Sequence, residues 1–135
     1  MRSENSAESD AACLFDDDPL VLNSLRHLLA SDGIATRSFD KAETFLAHIE
    51  MHAVALVVLG IWMELVTGLE VLARLCVVSP QTRVIVITAR DDLAAKLTAL
   101  QLGVTAFFTK PFDDDQFLNT VRARWQFTLF NERAR

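Results

Sequence analysis

Two hydrophobic periods alternate along this chain. Five short apolar runs (Cys13 to Phe15, Ile34 to Phe39, Val54 to Leu59, Arg83 to Thr88, Ala106 to Thr109) are separated by segments whose apolar residues recur at helical spacing. The runs predict strands and the segments predict helices. Leu20, Val21, Leu25, Leu28 and Leu29 make the first helical stripe, Phe45, Leu46 and Ile49 the second, and Leu69, Val71, Leu72 and Leu75 the third. A fourth helix is expected after Asp91 or Asp92, and a fifth begins near Asp113. Asp18 suits an N-cap and Pro19 the first helical position, while Gly33 and Gly103 suit left-handed helix ends. Asp40 with Glu43 and Thr67 with Glu70 predict capping boxes, Ser79-Pro80 breaks the third helix, and Lys110-Pro111 ends the last strand. Strands 3 and 4 are apolar on both faces, which implies an α/β fold with a parallel sheet covered by helices on both sides.

The stretch from Ala55 to Glu64 reads as a buried central strand that ends at Gly60 and runs out into a loop. In open α/β sheets that edge is where ligands and chemistry gather.

The 135-residue length suits one domain that buries roughly two-thirds of its unfolded surface. We expect that domain over residues 12–135, preceded by a flexible acidic tail over 1–11 that lacks the apolar stretch of a signal peptide. Hydrophobic residues make up 51% and charged residues 23%, which favours a packed core over disorder. A formal charge of -5 argues against direct nucleic-acid contact, which requires a concentrated basic surface. The apolar runs are too short to cross a bilayer, so no membrane role and a cytoplasmic setting are expected. Cys13 and Cys76 read as reduced thiols, and His27, His48 and His52 as surface or half-buried side chains without ligand spacing.

The predicted fold collects four groups at the C-terminal sheet edge: Asp16 and Asp17 after strand 1, Gly60 after strand 3, Thr88 after strand 4 and Lys110 after strand 5. Paired carboxylates, a hydroxyl and a lysine suit a hard cation and a phosphoryl group. Five pieces, in this order and spacing, carry a resemblance: Asp16-Asp17-Asp18-Pro19, Gly68 to Leu72, Val84 to Ala89, Gly103 to Phe107, and Lys110-Pro111-Phe112. From Cys13 to about Arg124 the chain resembles the receiver domain of two-component response regulators. The resemblance implies a doubly wound, flavodoxin-like five-stranded sheet of order 2-1-3-4-5 with five helices.

It also implies site roles. In receivers a carboxylate ending strand 3 accepts a phosphoryl group from a histidine kinase, beside Mg²⁺ held by that carboxylate, the acidic pair and a backbone carbonyl two residues on. Asp16 and Asp17 match the acidic pair, Trp62 the carbonyl, Thr88 the switch hydroxyl, Phe107 the aromatic switch position and Lys110 the lysine, whose bond to Pro111 resembles a family cis peptide. The acceptor position falls on Gly60. Glycine has no side chain and cannot form an acyl phosphate. Without that carboxylate, Mg²⁺ is expected to bind weakly or not at all, and Lys110 is expected to pair with Asp16 or Asp17. The loop departs from the family pattern as well, with Trp62 and Glu64 in place of more usual residues.

The expected function is therefore non-enzymatic: a phosphorylation-independent receiver that binds a protein partner, with histidine-kinase contact but no phosphotransfer. The last helix carries Phe117, Leu118, Val121 and Trp125 and continues into Phe127, Leu129 and Phe130. Phe117, Val121, Trp125 and Leu129 are the candidate partner surface, on the face of helix 4, strand 5 and helix 5 that the family uses for output and dimerisation. Two alternatives are a phosphorelay receiver that accepts the phosphoryl group at another residue or in an unmutated parent sequence, and a flavodoxin-like cofactor binder. The second is disfavoured by the Asp16-Asp17-Asp18 turn, whose charge repels phosphate.

Overall fold

A computed structural model describes residues 11–61, 65–89 and 93–122, with the side chains of residues 65–67 outside the description. Strands β1 (Ala12–Phe15), β2 (Thr36–Phe39), β3 (Leu56–Ile61), β4 (Arg83–Thr88) and β5 (Ala106–Thr109) form one parallel sheet of order β2-β1-β3-β4-β5. Helices α1 (Pro19–Ala30), α2 (Ala42–Met51), α3 (Leu65–Val78) and α4 (Leu93–Gln101) join the strands, and α5 runs from residue 114 to the end of the described chain at 122.

Side-chain alternation sorts the core into two layers. Phe15, Val57, Leu59, Ile61, Val84 and Val86 face α2, α3 and α4, where they pack with Phe45, Ile49, Leu72 and Leu75. Leu14, Leu56, Val58, Ile85 and Ile87 face α1 and α5, where they meet Leu22, Leu25, Leu29, Phe117 and Val121. Strands β3 and β4 are buried along nearly their whole length, which is why their sequences show no polar alternation.

Several local signals act as expected. Asp18 caps α1 by accepting the Leu20 N–H at 2.9 Å, with Pro19 at the start of the helix. Gly33 and Gly103 take positive φ values of 77° and 99°, and Lys110-Pro111 is a cis peptide. Asp113 accepts the Asp115 N–H at 2.9 Å at the start of α5.

Other boundaries differ. β3 does not end at Gly60: its pairing to β4 continues through Gly60 with Ile87 and Ile61 with Thr88. β2 begins at Thr36 rather than Ile34, because pairing to β1 starts at Ala12 with Thr36. The Asp40 capping box does not form. α2 starts at Ala42, so Lys41 holds the cap position, without a side-chain hydrogen bond, and Asp40 lies one residue too far out. Thr67 is likewise not a cap, since α3 already includes Leu65 and Val66. Ala11, assigned to the tail from sequence, is buried. The expected cap at Asp91 or Asp92 falls outside the described residues.

Candidate functional site

The register of the sheet determines what meets at its C-terminal edge. Phe15 pairs with Leu59, so the next residues, Asp16 on the β1 side and Gly60 in β3, lie side by side. Both follow the alternation of Leu14 and Val58, toward the α1 and α5 layer. Asp16 is 1% exposed. Its carboxylate is turned across the strand onto Gly60: a Cβ on Gly60 would lie 2.6 Å from Asp16 Cγ and 3.1 Å from its Cβ, with Oδ2 closer still. Carbon atoms cannot approach so closely, so the Asp16 side chain occupies the space that any side chain at residue 60 would enter first.

Asp16 is held there by its neighbours. Its Oδ1 accepts the Asp18 N–H at 2.9 Å, and its own N–H donates to the Phe39 carbonyl at 3.2 Å. Burial pushes its pKa from 3.8 up to about 6, because a desolvated carboxylate is costly. The Asp18 N–H and the charge of Lys110 pull in the opposite direction, while the Asp17 charge and a hydrogen bond shared with the Asp17 side chain add to the rise. Asp17 itself is exposed. The charge of Lys110 thus bears on Asp16 from across the edge.

Lys110 reaches this edge through β5 and its turn, where its N–H donates to the Thr88 carbonyl at 2.8 Å. The residue is half-buried and lines a groove of about 620 Å³ between α1 and the β5–α5 turn, with Leu20, Val21, Leu28 and Phe112. Thr88 is buried at the end of β4, beside Ile61. It follows the alternation of Val84 and Val86, toward the layer opposite Asp16. Phe107 is half-buried and packs against that same layer. The fold therefore brings Asp16, Gly60 and Lys110 to one edge, with Thr88 and Phe107 on the other side of the sheet. Trp62 and Glu64 lie outside the described residues.

These donors do not fit a divalent cation held in the way the resemblance implies. One oxygen of Asp16 is engaged by the Asp18 N–H, the other is packed over Gly60, and residue 60 contributes no side-chain ligand. Hard cations require several accessible oxygens around one point. Among the described residues no three acidic, histidine or cysteine side chains gather into such a group.

The candidate partner surface requires correction. Phe117 and Val121 are fully buried between α5 and the sheet, because the apolar spacing of α5 is used in closing the core. Trp125 and Leu129 fall outside the described residues. Among the described residues of the expected helix 4, strand 5 and helix 5 face, an exposed apolar stripe lies on α4, where Leu93, Leu97 and Leu100 are 68%, 52% and 43% exposed and the small residues Ala95 and Ala99 face the core. Their spacing of four and three residues was available in the sequence, but it gives no indication of which face of the helix is covered.

A family model described as "Response regulator receiver domain" matches residues 12–122. The response regulator protein TodT of Pseudomonas putida is 32% identical over 110 residues, covering 82% of this chain and 48% of that protein. The transcriptional regulatory protein FixJ of Azorhizobium caulinodans is 35% identical over 117 residues, covering 86% and 55%. The crystal structure of a CheY-like receiver domain protein from Methanospirillum hungatei superimposes with a TM-score of 0.78 at 23% identity, covering 85% of this chain and 92% of that one. The chain belongs to the response regulator receiver family of two-component signalling. It spans about half the length of the curated relatives it matches.

Proposed function

We propose that this receiver signals by binding another protein, without accepting a phosphoryl group and without enzymatic activity. The observation that carries this reading is at residue 60: we assign Gly60 to the acceptor position, it has no side chain, and the Asp16 carboxylate packs over it. An acyl phosphate needs a carboxylate oxygen as nucleophile, which Gly60 lacks. Asp16 is a poor substitute, since the residue is 1% exposed. Mg²⁺ at physiological concentration is then bound weakly or not at all.

Output through protein contact is supported by the α4 stripe of Leu93, Leu97 and Leu100, an apolar face on a helix whose only charged residue is Lys96. A second copy of the chain or another protein would cover it, and a histidine kinase would dock without transferring phosphate. We place the protein in the cytoplasm: Cys13 and Cys76 are both free thiols, as a reducing compartment maintains them.

Incubation with acetyl phosphate and Mg²⁺, followed by intact mass measurement, tests the reading. The expected result is an unchanged mass. A gain of one phosphoryl group would overturn it.

A further inference from the structure

We propose that Asp16 is the resident carboxylate of this pocket: its side chain takes the volume that a residue with a side chain at position 60 would require, and so locks the site into one closed arrangement. The proposal rests on the reading of Gly60 given above and adds to it a direct coupling between positions 16 and 60. Acidic pairs at a sheet edge are ordinarily solvated, because a charged carboxylate is costly to bury. Asp16 is nevertheless almost wholly buried. Two interactions offset that cost: the Asp18 N–H on Oδ1 at 2.9 Å and the attraction of Lys110. The absence of a side chain at Gly60 is what makes room. A Cβ there would lie 2.6 Å from Asp16 Cγ and 3.1 Å from Asp16 Cβ, so rotating the carboxylate tip alone does not relieve the contact.

The consequence is that the pocket is filled by the protein's own carboxylate. Restoring a side chain at residue 60 forces Asp16 out of its place and breaks its bond to the Asp18 N–H.

A double-mutant cycle with Gly60→Ala, Asp16→Ala and the double variant, read by urea unfolding, tests the coupling. In the presence of Asp16, Gly60→Ala is expected to reduce the folding equilibrium constant by about tenfold or more, and in the Asp16→Ala background by less than about threefold. An equal effect of Gly60→Ala in both backgrounds, within about twofold, overturns the proposal. Should Gly60→Ala fail to fold, recovery of folding in the double variant supports the coupling. A double variant that also fails, while Asp16→Ala folds, overturns it. The mass measurement with acetyl phosphate reports on Gly60 as a non-acceptor, so that reading and this one can fail independently.

Discussion

A buried carboxylate whose pKa is raised leaves a mark on the pH dependence of stability. Native Asp16 retains its proton up to about pH 6, whereas the unfolded chain releases it near 3.8. Between those values the native state binds more protons than the unfolded state, so the contribution of Asp16 is fully present below about pH 4 and is lost as pH rises through 6. The loss amounts to at most about 3 kcal/mol. Asp16→Asn keeps the oxygen that accepts the Asp18 N–H but cannot titrate. We expect the urea midpoint of the wild type, compared with that of Asp16→Asn, to fall between pH 4 and 6.5; parallel curves would contradict the buried, protonated carboxyl. The acidic pair was legible in the sequence from its position after strand 1. The orientation of Asp16 was not, because it depends on a residue 44 positions away that has no side chain, and the sheet register alone brings the two together.

At the scale of elements, α3 and α4 carry opposite lessons. Gly68 lies in α3 against β3, where an added Cβ would be 2.8 Å from Ile61 Cγ1 and 2.9 Å from Cγ2. Replacing a helical glycine with alanine ordinarily stabilises by about 1 kcal/mol. Here Ile61 is β-branched and buried, so overpacking of about 1–3 kcal/mol wins, and Gly68→Ala is expected to lower the thermal midpoint. A raised midpoint would show that α3 can move away from β3. The α4 stripe behaves differently because it faces outward. Leu97→Glu should leave stability within about 0.5 kcal/mol of the wild type and remove self-association. In sedimentation, the wild-type mass should rise with concentration while that of the variant stays at the monomer value; a wild type that remains monomeric contradicts contact between copies. Strands and helices were legible because their periods differ. The capping boxes at Asp40 and Thr67 were not, since a cap depends on where the first helical residue falls, and one helix starts a residue later than the Asp40 box requires while the other is already under way before Thr67. The apolar residues of α5 were legible as a stripe, but only the packed structure assigns Phe117 and Val121 to the core.

At the scale of the molecule, the two helical layers follow from the alternation of strand and helix read along the chain, while the order β2-β1-β3-β4-β5 is the one the receiver resemblance implies. One long-range tie was not legible: Arg122 in α5 grips Asp32, past the end of α1, through Nε at 2.9 Å and Nη2 at 2.7 Å. No spacing rule links residues so far apart in sequence. The Arg122 guanidinium holds the Asp32 carboxyl below its ordinary value, so this clamp contributes at neutral pH and fades as pH falls through the native pKa of Asp32. Asp32→Asn should therefore lower the urea midpoint at pH 7 and do so less at pH 3; an equal loss at both would assign the effect to packing. The same sheet places Asp16, Gly60 and Lys110 at its C-terminal edge, with the Asp16 carboxylate packed where a side chain on residue 60 would lie. Adding beryllofluoride with Mg²⁺ while recording amide proton–nitrogen spectra tests this most directly. No saturable shifts are expected if the receiver accepts no phosphoryl group, whereas saturable shifts at Asp16, Gly60, Thr88 and Lys110 would contradict that reading.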